Sequence, residues 1–426
     1  MSGIFPRVGC KSHSFHGLVK IAAALYSYPM DIQDLLVPLT PIDSTQELVK
    51  FTDQMKKLPY IVVDTEFMRE RTYWPELCLI QIAGGDLAAI IDPKAAEMDL
   101  TPLLDIIAAP EIIKVFHSGR QDLEVFYQLS RKVPQNVADT QIMAMALGYG
   151  DSVGYEALIK DILNIQIDKG ARFSDWSQRP LTTRQLKYAL SDVTYLLPAY
   201  EKLHAELVKR NRLAWIEEEI NYLINPANYT ALPEEAWRRL KIRNDKPHFL
   251  AVLKEIAAWR EREAQARNLP RQRIVKDDAL LEIAVHPPDN RTGLNSYRAL
   301  PKGFGSSILG EGLWDSIEKG LNLPKDQIPR LPSKPSWQEK PGPAADLLKV
   351  FIKHICQINQ VSPKLLASTS ELDILSFLKE EADIPLLNGW RYELCGEEAI
   401  KLLKGRISMA LTSDGIRLIP LDNSLD

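Results

Sequence analysis

The apolar pattern along the chain changes period several times, and each change marks an element. IVVDTEF is a short apolar run of the kind a buried strand carries. A strand sends alternate side chains to opposite faces, so Asp64 and Glu66 project to one side at its carboxyl end. LCLIQIAG and LAAIIDP read as two more strands joined by a Gly-Gly-Asp turn, followed by a helix near 100–108 and a strand at IIKVF. Leu123, Val125, Phe126 and Leu129 place Asp122 early in an amphipathic helix. Thr182 and Gln185 have capping-box spacing, so a further helix starts there and carries Tyr188 and Asp192 one turn apart on one face. Beyond about residue 210 the pattern is helical throughout, except where six prolines between 324 and 343 forbid a continuous helix and suit a stiff linker.

The chain has 426 residues, 45% of them hydrophobic, which is enough for about three domains with real cores. Its formal charge of −4 gives no global signature of a nucleic-acid binder. The segment from Trp237 to Asp278 differs, with 12 Lys or Arg against 6 Asp or Glu. The cysteines at 10, 78, 356 and 395 form no C-x-x-C pair, which suits reduced thiols in a cytoplasm and excludes a disulfide framework or a cysteine zinc site. No apolar run approaches a membrane span. Residues 1–29 carry three Lys or Arg and no acidic residue, and Lys20 interrupts their apolar segment, which argues against a secretory signal. They are expected to be a poorly ordered extension upstream of the true start, with an organelle presequence as the alternative their composition leaves open.

The candidate chemistry lies in three segments: Asp64 and Glu66 in YIVVDTEF, Asp122 in FHSGRQDLEVF, and Tyr188 with Asp192 in LKYALSDVTYL. Each is weak alone, since an acidic residue in a first helical turn is ordinarily there for the helix dipole. Together they imply carboxylates that repel one another unless hard divalent cations sit between them, and oxygen ligands of this kind suit Mg²⁺ or Mn²⁺. Asp139 reads as the cap of the helix that follows it, His117 as a hydrogen-bonded structural histidine, and Trp176 as a packing anchor. No G-x-x-x-x-G-K-[ST] or G-x-G-x-x-G occurs.

The order of these segments resembles the DEDD superfamily of 3′–5′ exonucleases. The surrounding text, YIVVDTEFMRERTYWPELCLIQIA, IIKVFHSGRQDLEVFYQL, ADTQIMAMALGYG and DWSQRPLTTRQLKYALSDVTYL, is similar to the ribonuclease D family. Position 187 is lysine and 188 tyrosine, which places the chain in the tyrosine branch. HFLAVLKEIAAWREREAQARNLPRQRIVKDDALLEIAVHPP resembles the helicase and ribonuclease D C-terminal (HRDC) module, with Pro270 stopping one helix and Asp277 or Asp278 capping the next. PLLNGWRYELCGEEAIKLLKGRISMAL is similar to the last domain of that family, with Trp390 and Tyr392 read as core residues.

The resemblance implies an α/β plus all-α fold. A ribonuclease H-like mixed sheet forms an exonuclease domain over 30–230, followed by an HRDC domain over 235–322, a proline-rich linker over 323–343 and a second helical HRDC-like domain over 344–426. It also implies a cytoplasmic 3′–5′ exoribonuclease with two divalent cations. Asp64 would bridge them, Glu66 and Asp192 would complete one site, Asp122 would hold the other, and Tyr188 would orient the attacking water. The expected partner is RNA with a free single-stranded 3′ end, such as a tRNA precursor, and the product a nucleoside 5′-monophosphate. Arg69, Arg71, Lys169, Arg172, Arg179, Arg267, Arg271, Arg273 and Lys276 are candidate phosphate contacts. The residues alone leave two alternatives open: a DNA exonuclease, because nothing in the motifs must read the 2′-hydroxyl, and a non-catalytic RNA-binding adaptor.

Overall fold

Strand β1 (Tyr60–Met68) is the centre of a five-stranded mixed sheet. The structure is a computed structural model and describes residues 39–168, 170–171, 174–331 and 342–421. The predicted extension at 1–29, Lys169, Arg172 and residues 332–341 of the proline-rich linker lie outside these. Strand β1 pairs antiparallel with β2 (Glu76–Gly84), and β2 with β3 (Leu87–Ile91). On its other edge β1 runs parallel to β4 (Ile113–Phe116), and β4 to β5 (Val137–Asp139). The hairpin order followed by helix-linked parallel strands is the expected mixed sheet.

The alternation of β1 sorts its residues between two layers. Ile61 and Val63 join Ile80, Ile82 and Ile91 beneath helices α1 (Thr45–Met55), α2 (Thr101–Ala108) and α3 (Arg120–Ser130), which contribute Leu48, Met55, Leu103, Ile106, Leu123 and Phe126. Val62 faces the opposite layer. There α4 (Thr140–Ala146), α5 (Tyr155–Leu163), α6 (Thr183–Thr194), α7 (Leu196–Lys209) and α8 (Leu213–Leu223) follow one another, and Val193, Leu197 and Tyr200 close the core. Asp64 and Glu66 share this second face. The β1–β2 register slips between Glu66 and Phe67, a bulge at the end of the strand where the acidic pair sits.

The helical half begins with α9 (Pro247–Arg267), α10 (Asp277–Val285) and α11 (Ile308–Leu321), packed around Leu253, Trp259, Leu280 and Leu313. Helix α9 ends at Asn268 in the left-handed region, two residues before Pro270. Lys276, and neither aspartate, stands at the N-cap of α10. Asp277 lies in its first turn and accepts from the buried Arg260 at 2.6 Å.

The last region, α12 (Pro343–Asn359), α13 (Thr369–Leu378) and α14 (Glu397–Leu403), departs from the all-helical expectation. It ends in an antiparallel hairpin of β6 (Ile407–Thr412) and β7 (Gly415–Pro420). Thr412-Ser413-Asp414-Gly415 is the turn: Gly415 has φ +116°, which glycine adopts without steric cost, and β-branched residues on either side favour strands. Phe351, Ile355 and Leu375 of this region share one core with Val62 and Tyr200, so the terminal module is built onto the mixed-sheet half. Arg212 ties them by donating to the carbonyls of Ala146, Asn359 and Gln360. Gly148 completes the fit: its φ is +85° and a Cβ there would lie 2.8 Å from the backbone of Gln360. Trp390 is partly buried against that core and stacks on Trp215 with ring centroids 4.3 Å apart, whereas Tyr392 is exposed and not part of the core.

Candidate active site

Each acidic residue is held by one of three separate elements. Asp64 and Glu66 come from the bulged end of β1, Asp122 from the first turn of α3, and Asp192 from α6. Carboxylate oxygens of Asp64, Glu66 and Asp192 all lie within 4.8 Å of one another. Asp122 stands beside this trio, buried, with Oδ1 accepting from the backbone N–H of Thr65 at 3.1 Å and from its hydroxyl at 2.5 Å. The four carboxylates open onto a cleft of about 560 Å³ that Tyr188, His117 and Tyr155 also line.

Several local devices fix these positions. Helix α6 starts at a reciprocal capping box between Thr182 and Gln185, as the spacing predicts, which sets the rotation that puts Tyr188 and Asp192 on one face. Asp139 accepts from the N–H groups of Gln141 and Ile142 at the start of α4, and also from those of Ser118 and Gly119. It thereby fastens the turn from which α3 departs with Asp122. His117 Nδ1 lies 2.9 Å from Thr140 Oγ1, in keeping with a structural histidine. Trp176 is buried, with its ring centroid 6.1 Å from that of Tyr188.

The electrostatics follow from burial and like charge. Burial, then the negative charges of Asp122, Asp192 and Glu66, raise the Asp64 carboxyl well above the usual carboxylate range. Burial, then the charges of Asp192 and Asp122, push Glu66 up to about 9. Burial takes Asp122 to about 6, with the Thr65 hydrogen bonds opposing it. At an effective dielectric of about 20, two full charges at the 4.8 Å limit repel by roughly 3 kcal/mol. Such a cluster is built for cations that neutralise it, and its donors, all hard oxygens, fit Mg²⁺ or Mn²⁺.

The candidate phosphate contacts divide. Arg179 is a correction: it donates to both oxygens of Asp92 and to the carbonyls of Cys78, Trp176 and Gln178, so its whole guanidinium is spent inside the fold. Arg271 is partly committed, its Nε and Nη2 donating to Glu261 and to the hydroxyl of Tyr73. Arg69 forms a two-pronged pair with Glu124 and Arg267 pairs with Glu263, both at the surface. Arg71, Arg273 and Lys276 are exposed.

Sequence reasoning missed three contributors. Thr65 reads as an ordinary interior strand residue, yet it holds Asp122. Tyr155 donates to the carbonyl of Ser191 at 2.6 Å, bracing α6 beside Asp192, and no spacing announces that contact. The loop after β1 is gripped from the helical half. Asn268 accepts from the N–H groups of Tyr73 and Trp74 at 3.1 and 3.0 Å, and the Tyr73 hydroxyl donates to Glu261. The left-handed cap at Asn268 was the available signal, since it turns a polar side chain away from the helix end.

Comparison with known proteins identifies the family. Residues 39–208 match a 3′–5′ exonuclease family model and residues 249–306 an HRDC domain model. The chain is 42% identical to ribonuclease D of Granulibacter bethesdensis over 381 residues, 89% of this chain and 96% of that one. It is 43% identical to ribonuclease D of Sphingobium indicum over 379 residues, 88% and 97% of the two chains. The crystal structure of Escherichia coli RNase D superposes with a TM-score of 0.72 at 32% identity, covering 86% of this chain and 98% of that one. With relatives of this identity aligned over nearly their whole length and a solved ribonuclease D superposing on most of the chain, this chain belongs to the ribonuclease D family of 3′–5′ exoribonucleases.

Proposed function

We propose that the chain shortens RNA from a free single-stranded 3′ end by two-cation hydrolysis in the Asp64–Glu66–Asp122–Asp192 cleft. It releases nucleoside 5′-monophosphates, and its natural substrates are tRNA precursors and other small structured RNAs. The observation that carries this reading is the convergence of Asp64, Glu66 and Asp192 from two separate segments to within 4.8 Å, in a cleft flanked by Asp122 and Tyr188. Asp64, Glu66 and Asp192 would hold one cation, and Asp64 with Asp122 the other. Bound there, two divalent cations stabilise the attacking and leaving oxygens of an in-line phosphoryl displacement and acidify the attacking water.

The remaining work falls to the side chains. The carboxylates orient the phosphodiester by fixing where positive charge sits. Tyr188 orients the attacking water. A phenol ordinarily titrates near 10, which makes it a poor base at neutral pH and a good hydrogen-bonding positioner. The substrate reading rests on the Escherichia coli relative, an exoribonuclease involved in structured RNA processing. No helix among the described residues is long and apolar enough to cross a membrane, and the cysteine pattern suits the cytoplasm, where such RNA resides.

The test is a 5′-labelled single-stranded RNA incubated with Mg²⁺ or Mn²⁺. Stepwise shortening of the labelled strand with nucleoside 5′-monophosphates as product supports the proposal. Internal cleavage of a circular RNA, or activity that persists in excess chelator, overturns it. A matched DNA oligonucleotide degraded at the same rate would transfer the assignment to nucleic acid in general.

A further inference from the structure

Gln81 lies in the middle of β2 and is completely buried, yet neither the oxygen nor the nitrogen of its amide has a hydrogen-bond partner among the described residues. An unpaired buried amide is costly, ordinarily by one to a few kcal/mol, so its retention calls for a partner within reach. The sheet register says where that partner is. Gln81 is directly opposite Asp64 in the antiparallel β1–β2 pair, so both side chains rise from the same face. On that face Leu79 packs with Ala189 of α6, and Ala83 with Val62 and Val193, which seals Gln81 in an apolar surround beside the carboxylates. Cβ atoms of opposed residues in such a pair are roughly 4.5–5.5 Å apart, a gap that an extended glutamine amide can close.

We infer that Gln81 is a positioning residue: its amide N–H donates to the Asp64 carboxylate when that carboxylate holds a cation, fixing the orientation of this ligand. This rests on the metal-site reading above and adds a residue to it. The amide is a neutral donor beside a cluster of carboxylate acceptors. It therefore favours the ionised carboxylate without competing for the cation, as a lysine in its place would. The burial of Gln81 makes a hydrogen bond from its amide to a carboxylate a strong one. Groups that orient metal ligands in this way ordinarily change metal affinity by about 10- to 100-fold.

The experiment uses the full chain and Mn²⁺ as the probe, comparing wild type, Gln81→Met, Gln81→Leu and Asp64→Asn by calorimetric titration, by the Mn²⁺ electron paramagnetic resonance spectrum, and by metal-free thermal denaturation. Both Gln81 variants are expected to melt at or above the wild-type temperature without metal, because they remove an unpaired buried amide. They should bind Mn²⁺ about 10- to 100-fold more weakly with an altered spectrum, and lower kcat with KM nearly unchanged. Unchanged Mn²⁺ affinity and spectrum in both variants, or failure of both to fold, overturns the inference and gives Gln81 a purely structural role. If wild type itself binds no Mn²⁺, or Asp64→Asn binds it as well as wild type, the metal-site reading fails instead.

Discussion

Replacing Glu66 by glutamine should stabilise the metal-free protein and destabilise the metal-loaded one. In the folded chain burial and the charges of Asp192 and Asp122 raise Glu66 from 4.5 to about 9. For an acid with a raised folded pKa, the native state binds more protons than the unfolded chain between those two values, so stability falls as pH rises through that window. The slope approaches about 1.4 kcal/mol per pH unit. At about pH 7.5, roughly three units above the unfolded value, the raised pKa costs the fold on the order of 4 kcal/mol. A glutamine side chain keeps the shape and never ionises, so it removes that cost. Urea denaturation of wild type and Glu66→Gln, with chelator and with Mn²⁺, from about pH 5 to 9, is the assay. With chelator the two should differ least near pH 5, just above the unfolded value, and diverge in favour of Glu66→Gln as pH rises. Saturating Mn²⁺ should reverse the order, because the wild type then gains binding energy that the variant lacks. A difference independent of pH, or one that Mn²⁺ leaves untouched, would refute the reasoning.

Further outcomes follow from the same geometry. Tyr188→Phe should slow turnover while leaving Mn²⁺ affinity nearly intact, whereas Asp64→Asn should lose both; equal loss of metal binding in the two would remove Tyr188 from its water-positioning role. Thr65→Val takes away the hydroxyl that Asp122 accepts from at 2.5 Å, and should weaken Mn²⁺ binding in titration without unfolding the strand. A terminal 3′-phosphate on the RNA should block degradation in a gel assay that resolves single nucleotides. Arg273→Ala and Lys276→Ala, at exposed positions, should flatten the log–log salt dependence of RNA affinity by roughly 0.7 for each phosphate interaction removed, and an unchanged slope would make them solvated charges.

The parts of this molecule that were legible in the sequence are those governed by short-range periodicity. The alternation in IVVDTEF put Asp64 and Glu66 on one face, and the Thr182–Gln185 spacing set the start of the helix bearing Tyr188 and Asp192, because a two-residue or four-residue repeat is a local property of the chain. What escaped depends on partners far away in sequence. Arg179 and Arg271 carry the same charge as any phosphate-binding arginine, and only the fold reveals that Asp92 and Glu261 already hold them. The terminal hairpin was hidden for another reason: ISMALT is short and apolar, and such a run is as compatible with a helix end as with a strand. Gln81 reads as one polar residue in a buried strand until the register sets it against Asp64.

The helical half also has a structural duty that charge counting does not suggest. Tyr73 and Trp74 lie just past β1, and Asn268, Glu261 and Arg271 hold them in place. Part of the basic surplus between Trp237 and Asp278 is therefore committed to joining the two halves, while Arg273 and Lys276 stand exposed and are among the residues there to test for RNA binding.

The most direct measurement is anomalous diffraction from crystals grown with Mn²⁺ and a short single-stranded RNA. Two manganese peaks roughly 3.5–4 Å apart are predicted, ligated by Asp64, Glu66, Asp122 and Asp192, with the terminal 3′ phosphodiester between them and Tyr188. RNA bound with its 5′ end or an internal phosphate at these carboxylates, or manganese found only outside the cleft, would contradict the account.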